Sequence, residues 1–316
     1  MRAKPDHAAS PHAPPSRLLH AVLCGGEARV LLCDVTRMAR EAAEIHGSSR
    51  VCTVAMGRMI AAAAMMGCQL KDARESVTVT LRGNGPAGPL VAVARRGAVK
   101  VTIARPEVEL PPLADGGLDV GGALGREGRL SVVRDLGFGE PYVGQVRLVS
   151  GEIGEDIAMY YTASEQTPTL CALGVRLGEG VRAAGGVLLQ AMPGCGESTV
   201  ETLELRSQLF TGLSGLLQEY TLERLLAVCF DGLSPEVLEE APLRLACDCT
   251  RERIERALLA LGARELGEMI DEGRGAEVNC HFCRKRYAFA EAELAALRQQ
   301  AIAAREHRAR EREDED

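Results

Sequence analysis

Four cysteines near the C-terminus constrain the fold of this chain more than any other feature. Cys247 and Cys249 form a C-x-C pair, and Cys280 and Cys283 form a C-x-x-C pair, with thirty residues between the two pairs. Two short cysteine pairs joined by a loop supply the four thiolates that tetrahedral zinc prefers. The spacing therefore predicts one Zn²⁺ per chain, bound by these four cysteines. In so small a module, bound zinc would supply about 10–16 kcal/mol of folding free energy.

Composition and charge narrow the class of protein. The chain has eleven cysteines and no apolar signal segment at its N-terminus, which predicts a reducing compartment and a cytoplasmic protein. The most apolar helical stretch, 59–68, is too short to span a bilayer. The net charge of −7 gives no overall electrostatic footprint for nucleic acid. We therefore expect neither a membrane nor a nucleic acid as a partner.

Changes of periodicity along the chain predict an α+β core. Apolar residues at helical spacing predict helices over 35–45, 51–70 and 155–164. Residues that alternate in polarity predict strands at 27–33, 77–81, 90–94, 99–103, 130–133, 143–148 and 185–190. This order favours a core of helices and antiparallel sheet over residues 17–195, after a flexible tail at 1–16.

The segment 196–246 has a weakened helical pattern. Its apolar helical face consists of Leu203, Phe210, Leu213, Leu217 and Tyr220, and Gly212 and Gly215 interrupt it. Each glycine costs about 1 kcal/mol relative to alanine in a helix. We expect a metastable helical linker that is helical only while docked, and an ordinary interdomain linker is the alternative.

The last part of the chain predicts a small zinc-binding module over 247–300 and a charged tail over 301–316. Within it, apolar spacing predicts helices at 254–261, 266–270 and 290–310, and a strand at 287–289. Basic residues follow both cysteine pairs: Arg251, Arg253, Arg284, Lys285 and Arg286. They either offset the charge of metal-bound thiolates or form a solvated basic patch. His281 lies between two ligands, but four cysteines already complete the shell of a zinc ion.

The C-x-C pair opens an alternative to a purely structural zinc site. If each pair closed on itself, the two disulfides would contribute only about 3.5 kcal/mol by the chain-entropy estimate. Neither bond would connect the first pair to the second. The module would therefore lose about 7–13 kcal/mol of folding free energy and would unfold. A nucleic-acid-binding zinc module is a third possibility. Eight basic and eight acidic residues between Cys247 and Ala290 leave the module neutral, which counts against it.

Several motifs resemble the heat shock protein 33 family. The segments Cys247–Arg253 and Cys280–Cys283, with Tyr287 and Phe289 after the second, resemble that family's zinc module. The resemblance extends over residues 17–300 and includes Gly83–Pro86, Tyr160–Thr169 and Gly185–Pro193.

This resemblance implies a redox-regulated, ATP-independent chaperone of the holdase type. In the family, the reduced and zinc-bound protein is an inactive monomer. Oxidation forms two neighbouring disulfides, here Cys247–Cys249 and Cys280–Cys283, and zinc leaves. The zinc module and the adjoining linker, here 196–246, then unfold, and a homodimer binds unfolding client proteins.

Seven further cysteines fall outside the predicted metal site. Six lie in apolar surroundings and are expected to be small core residues: Cys24, Cys33, Cys52, Cys68, Cys171 and Cys229. Cys195 lies in a glycine-flanked turn beside the linker and is the candidate for a further redox role.

The chain has no recognisable catalytic motif. Gly83–Gly88 matches G-x-G-x-x-G, but Pro86 and Pro89 intervene and a predicted strand follows instead of a helix. The match therefore predicts a strand connection rather than a dinucleotide site. With no P-loop and no G-x-S-x-G motif either, we expect no enzymatic activity.

Overall fold

The computed structural model describes residues 15–273 and 275–314, with side chains described up to residue 304. The described chain divides into two compact units, one that ends at Ala246 and one that begins at Cys247. The tail predicted at 1–16 lies outside the described residues except for its last two.

The first unit contains a five-stranded antiparallel sheet, here called sheet A. Its strands are β1 (Arg17–Leu23), β2 (Ala28–Asp34), β8 (Thr169–Leu177), β9 (Val181–Ala191) and β10 (Glu236–Pro242), in the order β10-β1-β2-β9-β8. The sequence predicted β2 and β9 but not the other three. Strand β1 shows no alternation of polarity because both faces of sheet A are covered: Leu18 and Leu19 are both buried, in different apolar clusters.

A second sheet, sheet B, has six strands. They are β3 (Ser76–Gly83), β4 (Leu90–Arg95), β5 (Ala98–Ile103), β6 (Gly128–Asp135), β7 (Tyr142–Arg147) and the short β11 (Arg244–Leu245), in the order β11-β5-β4-β3-β6-β7. All pairs are antiparallel except β11, which runs parallel to β5. The five strands predicted here are confirmed, since burial alternates along β3 and β5 as the polarity pattern requires.

The helices of this unit are α1 (Thr36–His46), α2 (Arg50–Cys68), the short α3 (Val120–Leu124) and α4 (Gly154–Ser164). Gly47 ends α1 in the left-handed conformation, with φ 56°. Helix α2 is buried in one apolar cluster together with residues of both sheets, so the predicted α+β class is confirmed. At 19 residues α2 is longer than the apolar stretch seen in the sequence, and by length and composition it could cross a membrane. Because 89% of its apolar window is buried inside the protein, it reads as a core helix.

The G-x-G-x-x-G segment is a strand connection, as predicted. Two of its backbone N–H groups donate to carbonyl oxygens of α3: Gly85 N to Leu124 O at 3.1 Å, and Ala87 N to Ala123 O at 2.9 Å. A Cβ at Gly85 would lie 2.3 Å from the backbone nitrogen of Gly125, so only glycine fits. The backbone N–H groups of Gly85 and Ala87, which a phosphate group would need as donors, are therefore already paired with protein carbonyl groups.

Residues 196–246 form three helices and then two strands. The helices are α5 (Glu197–Ser207), α6 (Leu213–Glu219) and α7 (Leu222–Cys229), with a 3₁₀ turn at Gln208–Phe210. Their apolar side chains cover one face of sheet A, and Gly212 is the N-cap of α6 instead of a residue inside a helix. The prediction that the whole linker is helical is wrong for residues 236–245, because β10 pairs with β1 and β11 pairs with β5. Strand β10 is polar and lies at the edge of the sheet, where backbone hydrogen bonds to β1 hold it. Its sequence therefore shows neither helical spacing of apolar residues nor an alternation of polarity.

The second unit is small. It contains α8 (Arg251–Leu261), α9 (Ala263–Asp271), the hairpin of β12 (Ala276–Asn279) and β13 (Arg286–Phe289), and α10 (Glu291–Asp314). The helices and β13 confirm the predicted elements, although α10 continues past residue 310. Within the residues whose side chains are described, its apolar core has seven buried members: Leu258, Leu266, Cys280, Tyr287, Phe289, Leu294 and Leu297.

Candidate metal centre

The four C-terminal cysteines are placed by two local structures. Cys247 and Cys249 directly precede α8, whose N-cap Thr250 accepts a hydrogen bond from the backbone N–H of Arg253. Cys280 and Cys283 lie in the turn between β12 and β13. There the backbone N–H of Arg284, at φ 58°, donates to Cys280 O at 2.9 Å. This tight turn brings both sulfurs of the second pair to one side.

The four sulfur atoms meet in one cluster, all within 4.8 Å of one another. Sulfurs of different pairs are close neighbours, with 3.6 Å from Cys247 Sγ to Cys280 Sγ and 3.3 Å from Cys249 Sγ to Cys283 Sγ. Tetrahedral zinc with Zn–S bonds of about 2.3 Å places its sulfurs about 3.8 Å apart. The spacing and the all-sulfur donor set therefore fit a zinc ion, which when bound would keep the four sulfurs as thiolates.

A tyrosine supports the cluster from the strand that follows it. The hydroxyl of Tyr287 lies 3.2 Å from Cys249 Sγ and 3.0 Å from the carbonyl oxygen of Cys249. Burial raises the pKa of the Cys249 thiol, but hydrogen bonds from Tyr287 and the other cysteines outweigh burial and lower this pKa to about 7. Burial raises the pKa of Cys283 to about 11. Sequence reasoning placed Tyr287 on a strand but missed its contact with a sulfur.

The basic residues around the cluster are largely paired. Arg251 lies 2.6 Å from Glu293 and stacks 4.3 Å from the centre of the Phe289 ring, and Arg253 forms an ion pair with Asp248. Arg286 lies 3.4 Å from Glu277. These carboxylates reduce the positive field that the sequence suggested. His281 is not part of the metal-binding group formed by the described residues.

The other cysteines have raised pKa values or ordinary surroundings. Burial raises the pKa of Cys33 and raises that of Cys171 to about 12, which fits small, inert core residues. Burial and the Glu27 carboxylate also raise the pKa of Cys195, so its thiol is not activated for oxidation. Like Cys24 and Cys171, Cys68 is only partly buried and packs against an apolar cluster. It also lies beside His20 and Glu239. These three residues are far apart in sequence, so no spacing pattern could have found them.

Fold and site together define an α+β protein with a four-cysteine metal-binding module. Residues 16–290 match the family described as "Hsp33 protein". A "33 kDa chaperonin" of Clostridium perfringens (strain SM101 / Type A) is 40% identical over 286 residues, 89% of this chain and 90% of the relative. A "33 kDa chaperonin" of Ruminiclostridium cellulolyticum (strain ATCC 35319 / DSM 5812 / JCM 6584 / H10) is 42% identical over 272 residues, 85% of this chain and 93% of the relative.

A solved structure agrees with these sequence matches. The crystal structure of the 33 kDa chaperonin, a heat shock protein 33 homologue, from Thermotoga maritima superposes with a TM-score of 0.84 at 36% identity. The match covers 92% of this chain and 99% of the other. The chain therefore belongs to the Hsp33 family, a family of chaperones, and the resemblance found in the sequence is confirmed.

Proposed function

We propose that this chain is a redox-regulated, ATP-independent holdase of the cytoplasm, without enzymatic activity, that is inactive while reduced and zinc-bound. One zinc ion is held in the reduced state by Cys247, Cys249, Cys280 and Cys283. The observation that carries the proposal is the 3.3–3.6 Å separation of sulfurs from different cysteine pairs. A single ion at this point joins two segments that lie far apart in the chain.

Oxidation of the four cysteines releases the ion that links the two segments. Two molecules of hydrogen peroxide and four protons convert the zinc tetrathiolate to two disulfides, one free Zn²⁺ and four water molecules. The four sulfurs give up four electrons, and the O–O bonds of the peroxide accept them. Cys247–Cys249 and Cys280–Cys283 are the bonds that form, and each lies within one segment.

The pairing of the sulfurs decides the outcome. A bond from Cys247 to Cys280 would keep the two segments joined after zinc leaves, as would a bond from Cys249 to Cys283. Bonds within the pairs leave them unconnected. Among its described residues the module has only seven buried apolar or cysteine side chains. Loss of the ion therefore removes more folding free energy than this core supplies, and the module unfolds.

The linker supplies the surface that becomes available. Helices α5–α7 cover one face of sheet A through buried side chains that include Leu203, Leu213 and Leu225. Once these helices detach, the apolar face of β1, β2 and β9 binds unfolding client proteins without ATP. The reduced protein is a monomer, and the oxidised protein is a homodimer.

One experiment follows zinc and chaperone activity together. The reduced full-length protein is treated with peroxide at mild heat and then with a thiol reductant. Released zinc is read with a chromogenic chelator, and light scattering reports the aggregation of a heat-denatured reporter protein. We expect one zinc to leave the four-cysteine site as protection of the reporter appears, and protection to disappear after reduction and zinc return.

Disulfide mapping completes the test. Peptides of the oxidised protein, separated without reductant, should show bonds within each pair. Zinc that stays bound under peroxide, or zinc release without any gain of protection, would contradict the proposal. The nucleic-acid alternative has less support because Arg251, Arg253 and Arg286 pair with carboxylates. It would be favoured instead by a salt-sensitive gel shift of DNA or RNA with the reduced protein.

A further inference from the structure

Three side chains of the first unit form a second cluster of metal-binding groups. His20 lies on β1, Cys68 is the last residue of α2, and Glu239 lies on β10. A ring nitrogen of His20, the sulfur of Cys68 and a carboxylate oxygen of Glu239 all lie within 4.8 Å of one another. All three residues are partly exposed, so an ion from solvent can reach them.

The backbone explains why these groups meet. His20 and Glu239 are direct partners in the antiparallel pairing of β1 with β10, so their side chains lie on the same face of sheet A. Leu18, two residues before His20 on the same strand, faces the apolar cluster that contains α2. The C-terminal end of α2 therefore brings Cys68 to this face. The register shifts directly after His20, and the pairing continues with Ala21 opposite Val237.

Arg96 orients the carboxylate. Its Nη2 pairs with Oε1 of Glu239, and its Nη1 donates to the carbonyl oxygen of Leu70 at 3.0 Å, just beyond α2. One carboxylate oxygen is thus held, and the other remains for a metal ion. Within the described part of the chain, no hydrogen bond involves the ring of His20 or the sulfur of Cys68, so their lone pairs are available.

We propose that His20, Cys68 and Glu239 bind a second divalent transition-metal ion, with Zn²⁺ preferred. Imidazole nitrogen, thiolate sulfur and carboxylate oxygen are the three donor types of zinc sites, and three protein ligands leave a fourth position for water. Calcium and magnesium use oxygen ligands, so the sulfur and nitrogen donors exclude them. On binding, the Cys68 thiol gives its proton to solvent.

The charges around this second site determine its zinc affinity relative to that of the four-cysteine site. The Cys68 thiolate and the Glu239 carboxylate would offset the charge of the ion, but the nearby Arg29 and Arg96 side chains disfavour positive charge at His20. The second site therefore binds zinc less tightly than the four-cysteine site and fills after it. All its ligands lie in the first unit, so the inference is independent of the proposed redox switch.

An ion at this site would fasten one particular strand. Among the strands that the structure describes, β10 is at the edge of sheet A and pairs with β1 alone. The metal would add a bond from β10 to both β1 and the end of α2. Zinc binding should therefore slow the detachment of the segment that follows helices α5–α7.

The test is a metal titration of the reduced full-length protein with its four-cysteine site already filled with zinc. Added Co²⁺ is followed by the near-ultraviolet thiolate-to-cobalt absorption, and added Zn²⁺ by elemental analysis after gel filtration. We expect a second equivalent of metal per chain. Cys68→Ser and Glu239→Gln should each lose it, whereas Glu236→Gln, a matched change of charge on β10, should keep it. Circular dichroism checks that each variant is folded.

Hydrogen exchange supplies a second readout that needs no variant. Zinc at ten times its dissociation constant for this site should slow exchange of peptides from β10 about tenfold if opening breaks the site. Binding of only one equivalent by the unmodified protein would overturn the inference. So would a second equivalent that persists in Cys68→Ser or Glu239→Gln, or that is lost equally in Glu236→Gln.

Discussion

Arg17 on β1 forms a two-point ion pair with Glu223 on α7, with Nη2 2.9 Å from Oε2. The same guanidinium lies 2.8 Å from Glu240 on β10. One side chain near the start of the fold thus fastens both a linker helix and the edge strand that follows the linker. The hydrogen bond from Arg17 lowers the pKa of Glu223 to about 2.

This ion pair predicts a pH-dependent docking of α7. A carboxyl group with a lowered pKa in the folded state stabilises that state above about pH 4.3, and the stabilisation is lost as the pH falls toward 2. The Glu223 side chain is 51% exposed, so solvent screening limits the effect to about 1 kcal/mol or less. Urea unfolding of Glu223→Gln should show this deficit at pH 7 and about half of it at pH 3. Glu219→Gln, an exposed change at the end of α6, should show none, and a deficit that does not change with pH would contradict the role of the ion pair.

Truncation of a buried linker residue should activate the chaperone without oxidant. Leu225 lies on the buried face of α7 and is 1% exposed. Leu225→Ala should destabilise docking of this helix by about 2–5 kcal/mol. Reporter aggregation should then be suppressed even in the reduced, zinc-bound state. Leu205→Ala, at a residue that is 76% exposed on α5, should behave as the unmodified protein does. If hydrogen exchange shows that α7 detaches in Leu225→Ala while the reporter protein still aggregates, the covered face of sheet A is not the client surface.

Removal of the tyrosine hydroxyl should loosen the metal site. Tyr287→Phe keeps the packed ring but loses the hydrogen bond to Cys249, which contributes about 0.5–1.5 kcal/mol. We expect zinc to pass to a competing chelator up to about tenfold faster, since 1.4 kcal/mol corresponds to a factor of ten. Tyr142→Phe, on the exposed β7, is the matched control. Equal release rates in the two variants would show that the contact does not stabilise the site.

Loss of one sulfur ligand should abolish the switch. In Cys280→Ser the four-cysteine site should lose its zinc, because three thiolates no longer close the tetrahedral shell. The far-ultraviolet signal of α8 and α9 should fall, and reporter protection should no longer respond to peroxide. Cys24→Ser, outside both metal-binding clusters, should retain zinc and the peroxide response. A reversible response in Cys280→Ser would rule out the proposed mechanism.

Local patterns were enough to predict much of this protein. The spacing of Cys247, Cys249, Cys280 and Cys283 predicted that they meet, since metal ligands in short pairs need little more than a turn on each side. Alternation in sheet B was legible because one face of each strand is buried. The spacing of apolar residues predicted α1 over 35–45, within one residue of its observed bounds at each end.

Other elements could not be predicted from local patterns, because contacts between residues that are distant in the sequence determine them. Strand β10 owes its conformation to hydrogen bonds with β1, more than two hundred residues earlier in the chain. Strand β1 is covered on both faces, which removes the alternation that marks a strand. The contact of Tyr287 with Cys249 depends on how the hairpin folds over the first cysteine pair.

The sequence by itself determined the α+β class and the four-cysteine module, because periodicity and short ligand spacings are properties of neighbouring residues. Its motifs also resembled those of the family to which the chain belongs. Only the tertiary structure decided which segments cover sheet A and that His20, Cys68 and Glu239 share one face. Those arrangements follow from strand pairing and helix packing, which join residues without any fixed separation along the chain.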